Sequence, residues 1–190
     1  MKKLAILASG NGSNAQNIIE HFNASETPQV TLVISNKQDA YVLERAAALG
    51  VESVVISREK LTCSTPEELL NLLQKHGTDY IILAGYLLKI PAMLIDAYKK
   101  KIINIHPALL PKFGGKGMYG HHVHQAVLAA GEKESGITIH LVDEQYDSGA
   151  HLFQANCPVF PTDTAGSLAE RIHTLEKEHF ARVIEEYITA

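Results

Sequence analysis

The chain has 190 residues, 46% of them apolar and 20% charged, with a net charge of -4. That length suits one domain whose core buries roughly 70% of the unfolded surface, and that balance excludes a disordered chain or a nucleic-acid-coating one. An anionic ligand must then be held by local dipoles rather than by a basic surface.

The start, MKKLAILASGNGSN, imitates a signal peptide, but its apolar run from Leu4 to Ala8 is shorter than the roughly 7 to 15 residues of a signal core and flows into a glycine turn. It reads as a first strand. Apolar runs and helical patterns then alternate: LAILAS with AQNIIEHF, VTLVISN with AYVLERAAAL, VESVVIS with PEELLNLLQKH, YIILAGYLL with PAMLIDAYKK, and finally KIINIH. Such alternation predicts right-handed βαβ units and an α/β fold, a mostly parallel central sheet with helices on both faces. After the glycine-rich PKFGGKGMYGHHVH come a short helix, QAVLAAG, and two strands, GITIHLV and HLFQANCPVF. A closing helix is predicted from Ala165 to about Glu185, with Thr164 as its N-cap and Glu170, Arg171, Glu176, Lys177 and Glu178 among its polar positions. The expectation is a single domain over 1–190, with a nucleotide-binding half at about 1–100, a catalytic part at about 80–160 and a closing helix at about 165–187. Cys63 and Cys157 are isolated, which suits a reducing, cytoplasmic compartment, and no stretch approaches the roughly 20 apolar residues of a membrane span.

Three stretches carry chemistry. In SGNGSN the glycines at 10 and 12 permit a tight turn, and the N–H groups of Gly12, Ser13 and Asn14 open a helix whose dipole favours an anion such as phosphate. A plain capped turn has the same composition, and both readings stand. In KIINIHP the strand alternation sets Asn104 and His106 on one face and Pro107 ends the strand, so two polar side chains sit at a carboxyl end. An amide donor beside an imidazolium suits an oxygen gaining negative charge, as in acyl transfer; a pair satisfied by neighbouring loops is the alternative. Asp147, in the loop DEQYDSG, stabilises that imidazolium if its strand neighbours the one carrying His106. The histidines at 121, 122 and 124 have metal-like spacing but no HExxH motif, and exposed loop histidines that bind nothing fit as well. His140 is either a support for the site or a buried, hydrogen-bonded residue.

SGNGSN, NIHPALLPKF and ITIHLVDEQYDSG, in that order and spacing, closely resemble the folate-dependent formyltransferases over nearly the whole chain. The resemblance implies a Rossmann-like formyltransferase fold and transfer from 10-formyltetrahydrofolate, used as co-substrate without a metal, to the amine of phosphoribosylglycinamide. It implies Asn104, His106 and Asp147 as the catalytic trio, Gly12, Ser13 and Asn14 as the phosphate segment, and His173 with Glu176 on the ribose side. Folate binding falls, by the same resemblance, on Leu87, Leu88, Lys89 and Ile90, on Asn104, and on Asp143, Glu144, Gln145, Tyr146 and Asp147. Small-molecule substrates, no nucleic acid, no membrane and a monomer or homodimer are expected with it. Two relatives of that kind carry a further domain, for which these residues are expected to leave no room. Leu88 and Lys89 stand where many relatives have an arginine followed by an apolar residue.

Overall fold

The computed structural model describes residues 1–23, 28–57 and 66–190, so Cys63 lies outside the described residues. They group into two compact units, 1–103 and 104–190.

In the first unit, strands β1 (Lys3–Ala8), β2 (Gln29–Ser35), β3 (Ser53–Val55) and β4 (Tyr80–Leu83) run in the order β3-β2-β1-β4. All three pairings are parallel, with one irregularity between Leu4 and Ala5. Leu4 to Ala8 are wholly buried, because a central parallel strand is covered on both faces and must be apolar throughout. Helices α1 (Ser13–Asn23) and α2 (Val42–Ala48) pack on each other and on β2, while α3 (Pro66–Lys75) and α4 (Ala92–Ala97) form a separate pair. Right-handed crossovers explain the segregation: strand order reverses at β1, so the connections on either side of it cover opposite faces. The carboxyl ends of β1 and β4 flank that reversal, which is where open α/β sheets leave a crevice. The apolar run YIILAGYLL does not continue as a strand to Leu88; β4 stops at Leu83, and Gly85, at φ +75°, turns the chain into a loop.

The second unit begins within β5 (Ile102–His106) and continues through α5 (His121–Ala129), β6 (Glu134–Leu141), β7 (His151–Pro158) and α6 (Ala165–Thr189). Its strand order is β5-β6-β7, with β6 and β7 antiparallel. Gly136 is required there, since a Cβ would stand 2.0 Å from the Ala155 carbonyl oxygen. The register slips between Ile139 and His140, so a bulge lies beside His140. Helix α6 packs on α5, β6 and β7 through Leu168, Ile172, Phe180, Ile184 and Ile188. It starts as predicted at Thr164, whose hydroxyl accepts from Ser167 N while the Ser167 hydroxyl accepts from Thr164 N, a reciprocal cap. Arg171 fastens this start, donating to both Asp163 oxygens at 2.9 and 3.0 Å and to the Pro158 carbonyl at 2.8 Å. Those bonds, first that to Arg171, then the Phe160 N–H and the Ser167 hydroxyl, hold the Asp163 carboxyl well below the usual carboxylate range.

One expectation is corrected. The histidines at 121 and 124 do not lie in a loop: Gly120 ends the glycine-rich segment, the first turn of α5 begins at His121, and His124 is only 3% exposed. Of the polar positions expected on the closing helix, Glu176 falls in step with Ile172 and Phe180 and is buried among them.

Candidate active site

Asn104 and His106 share a face of β5 because strand side chains alternate, and β6 beside it presents Thr138 and His140 in the same alternation. His106 is nearly fully buried. Its Nε2 lies 2.7 Å from the Phe113 carbonyl oxygen, which can only accept, so Nε2 carries a proton. Its Nδ1 faces Asp147 Oδ2 at 3.6 Å, too far for a hydrogen bond and close enough for an ion pair. A bare Nδ1 would set two acceptors against each other; a proton there turns that contact into an attraction.

Asp147 is a half-buried residue in the left-handed region, at φ 54°, which aspartate tolerates better than most side chains. Its Oδ2 also accepts from Gly115 N at 2.8 Å, and its Oδ1 stands 3.7 Å from His140 Nε2. Its loop is self-capped: Asp143 Oδ1 accepts from Gln145 N and from the Ser148 hydroxyl, both at 2.9 Å. Gly149 closes it where a Cβ would meet the Leu141 carbonyl oxygen at 1.8 Å. Asn104 Nδ2 lies 3.0 Å from His140 Nε2. The second unit thus brings a buried imidazole, a carboxylate and a carboxamide into one cluster.

In the first unit the SGNGSN turn leads tightly from β1 into α1. Gly12 sits at φ +78°, and a Cβ there would stand 2.5 Å from Val42 Cβ, so only glycine fits. The first helical bond of α1 runs from Gln16 N to Gly12 O, so the helix opens directly at this turn. No acidic side chain occupies the first turn. Arg45 braces the turn, donating to the Asn11 carbonyl and Asn11 Oδ1 at 2.9 Å each and to Gln16 Oε1.

A family model described as formyl transferase matches residues 2–184. The chain belongs to the formyl transferase family. It is 46% identical over 182 residues to the chloroplastic phosphoribosylglycinamide formyltransferase of Arabidopsis thaliana, a match covering 94% of this chain and 62% of that protein. It is 36% identical over 188 residues to the phosphoribosylglycinamide formyltransferase of Haemophilus influenzae, covering 97% of this chain and 86% of that one. The chain spans 62% and 60% of the lengths of the two plant relatives it matches. The crystal structure of phosphoribosylglycinamide formyltransferase from Streptococcus pneumoniae TIGR4 superimposes with a TM-score of 0.88 at 39% identity, covering 99% of each chain.

The remaining candidates of this formyl transferase chain lie as follows. Leu87 and Lys89 are exposed, Leu88 is half-buried and Ile90 is buried, so the strip alternates outward and inward. Burial pushes the neighbouring Tyr86 phenol up to about 12. Asp143, Glu144, Gln145 and Tyr146 are exposed in the loop that ends at Asp147. On α6, His173 Nδ1 donates to Glu176 Oε2 at 2.8 Å, and that bond raises the His173 pKa. Buried His124 has an Nδ1 without a hydrogen-bond partner, and burial, with His173 next, lowers its pKa. Among the described residues, no group of three histidine, cysteine, aspartate or glutamate side chains is arranged to hold a metal ion.

Sequence reasoning missed the struts. Ser9, almost fully buried, donates to Asn36 Oδ1 at 2.5 Å and accepts from Leu87 N at 2.9 Å, so one hydroxyl ties the SGNGSN turn, the end of β2 and the strip after β4. Thr138 donates to the Ala108 carbonyl and accepts from Leu110 N and Gln154 Nε2, fixing the segment that leads to Phe113. A faint signal existed: Ser9 directly follows the apolar strand β1 and Thr138 stands between two isoleucines of β6, positions where a buried hydroxyl must find partners.

Proposed function

We propose that the chain transfers the formyl group of 10-formyltetrahydrofolate to the amine of N1-(5-phosphoribosyl)glycinamide, a step of de novo purine (IMP) biosynthesis. The observation that carries this reading is the His106 imidazole held between the Phe113 carbonyl and Asp147, with the Asn104 amide beside it on β5. Family membership and the names of its relatives support the choice of donor and acceptor.

The acceptor amine attacks the formyl carbon, and the carbonyl electrons move onto its oxygen. An Asn104 N–H and the His106 Nδ1 proton stabilise that oxyanion. Asp147 balances the imidazolium charge and serves the proton movement from the attacking amine to the folate nitrogen, which leaves as the tetrahedral centre collapses. Products are the formylated amide and tetrahydrofolate, so atoms and charge balance. The Gly12, Ser13 and Asn14 segment holds the acceptor's phosphate through N–H groups and helix dipole. Glu176, kept in place by His173, accepts from ribose hydroxyls. The folate is held by Leu87, Leu88, Lys89 and Ile90, by Asn104 and by the backbone from Asp143 to Asp147. The substrates are small molecules; the chain acts as a monomer or homodimer, needs no metal, nucleic acid or membrane, and is cytoplasmic. Among the described residues no helix is long and apolar enough to cross a membrane, and Cys157 is a free thiol. One catalytic domain is proposed, with its nucleotide half at about 1–100 and its folate and catalytic part at about 80–160.

The test mixes protein, 10-formyltetrahydrofolate and phosphoribosylglycinamide and follows deformylated folate with the amine present and omitted. Amine-dependent turnover is expected. Formate release at the same rate without amine would reassign the cluster to hydrolysis.

A further inference from the structure

His140 lies on β6 beside the register slip and is wholly buried. Its Nδ1 is 2.9 Å from the Leu141 carbonyl oxygen. A carbonyl can only accept, so Nδ1 carries the proton, and in the neutral ring Nε2 is left as a bare acceptor. That acceptor faces Asn104 Nδ2 at 3.0 Å. The alternative orientation of the carboxamide would set its oxygen against the same lone pair, and two buried acceptors in contact repel.

We infer that His140 is a positioning residue: the Leu141 carbonyl fixes its tautomer, and its Nε2 then fixes which end of the Asn104 amide faces the reacting carbonyl. One N–H of Asn104 is consumed by His140, and the planar amide keeps the second N–H on the same nitrogen, free to meet the formyl oxygen. A flipped amide would present an acceptor to that oxygen and oppose the reaction. The groups around His140 act in both senses, and the net effect favours the neutral ring. Burial lowers its pKa most, and the nearby His106 and His151 work in the same sense. The Leu141 hydrogen bond and Asp147, 3.7 Å away, work in the opposite sense. Were His140 protonated, its Nε2–H would compete with the Asn104 N–H and turn to Asp147 instead. The inference rests on the formyl-transfer reading for its catalytic consequence, but its structural half does not.

The experiment has two arms. In the first, 15N NMR of the wild-type protein near neutral pH reads the His140 ring nitrogens. A protonated Nδ1, an unprotonated Nε2 and an N–N coupling across the bond to Asn104 Nδ2 are expected, whether or not any formyl transfer is measured. A protonated Nε2 or an absent coupling overturns the inference. In the second arm, His140→Phe lowers kcat on the order of 10-fold, because one neutral hydrogen bond sets the amide's bias, while KM for both substrates stays within about twofold. His140→Gln, whose side-chain oxygen reaches the position of Nε2, recovers most of that loss. In an Asn104→Ala background His140→Phe costs almost nothing further, since the partner it orients is gone. Equal defects in Phe and Gln, or an undiminished effect in the Asn104→Ala background, overturn it. Absence of any turnover in the wild type would sink the functional reading and leave the NMR result to decide the inference by itself.

Discussion

Replacing Thr138 by valine keeps the shape of the side chain and deletes its hydroxyl. Thr138 is wholly buried, and its Oγ1 makes three hydrogen bonds: it donates to the Ala108 carbonyl at 2.7 Å and accepts from Leu110 N at 3.0 Å and Gln154 Nε2 at 2.8 Å. Gln154 keeps a bond to the Leu110 carbonyl at 3.1 Å, so the substitution strands the Ala108 carbonyl and the Leu110 N–H in a dry interior. Each stranded group costs ~1–3 kcal/mol, and with partial relaxation the sum is about 2 to 4 kcal/mol. Against a total stability of ~5–15 kcal/mol that is a large fraction. Urea unfolding measures it directly: with a slope of ~1–3 kcal/mol per molar, the midpoint falls by about 1 to 2 M. Thr138→Ser, which keeps the hydroxyl, loses only about 1 kcal/mol for the missing methyl. The same segment leads to the Phe113 carbonyl that orients His106, so turnover falls with the valine variant even where it remains folded. A Thr138→Val midpoint within error of the serine variant would refute the reasoning, showing that water or a backbone shift satisfies the two groups.

Asn104→Ala and His106→Ala each lose on the order of 100- to 1000-fold in turnover at saturating substrates, and near-normal turnover in either removes that residue from the oxyanion role. Ser9→Ala strands Leu87 N and Asn36 Oδ1, so the KM for folate rises while kcat holds; steady-state kinetics with an unchanged folate KM would show that the strut carries no load. Gly12→Ala meets Val42 at 2.5 Å with φ +78° and loses phosphate binding, read by calorimetric titration of ribose 5-phosphate; wild-type affinity would refute that role. Burial lowers the pKa of His124, so between its folded value and the unfolded ~6.5 the unfolded chain binds more protons. Its contribution is complete above ~6.5 and is lost as pH falls through the folded value, with a slope of up to ~1.4 kcal/mol per pH unit. His173, raised by Glu176, acts with the opposite sign and loses its contribution as pH rises. The stability lost between about pH 7 and 5.5 is therefore smaller in His124→Gln than in the wild type, and an equal loss in urea melts at both pH values would refute it.

The fold was readable because each level of the chain agrees. Apolar runs such as LAILA could only be doubly covered strands, and the Thr164 cap and Pro107 stop mark real boundaries. The pairing of Asp147 with His106 was readable only conditionally: alternation put His106 at a strand end, but the contact depends on β5 and β6 being neighbours, which no local pattern encodes. The helical first turn of α5 was hidden because GMYGHHVH, with glycine on one side and histidine on the other, carries no apolar period until Val123 and Val127 are seen to be buried together. The burial of Glu176 was latent in its spacing of four from Ile172 and Phe180, but a charged residue in an apolar stripe carries no local sign of what would satisfy it. The bulge beside His140 leaves no trace in composition at all, since it depends on how two strands meet.

Two imidazoles in one cluster take opposite roles, and the main chain decides which is which. The Phe113 carbonyl claims Nε2 of His106 and leaves Nδ1 to carry or give a proton; the Leu141 carbonyl claims Nδ1 of His140 and leaves Nε2 to receive one. A single carboxylate, Asp147, stands 3.6 Å from the first and 3.7 Å from the second, so distance alone does not choose its partner. One negative charge can balance only one buried cation, and a second would meet repulsion in a low-dielectric interior. Burial and the charge of His106 both oppose protonation of His140, and His140 already has a neutral use for its lone pair in Asn104. The neutral tautomer of His140 and the Nδ1 that His106 turns toward Asp147 thus follow from two backbone carbonyls, one on each ring.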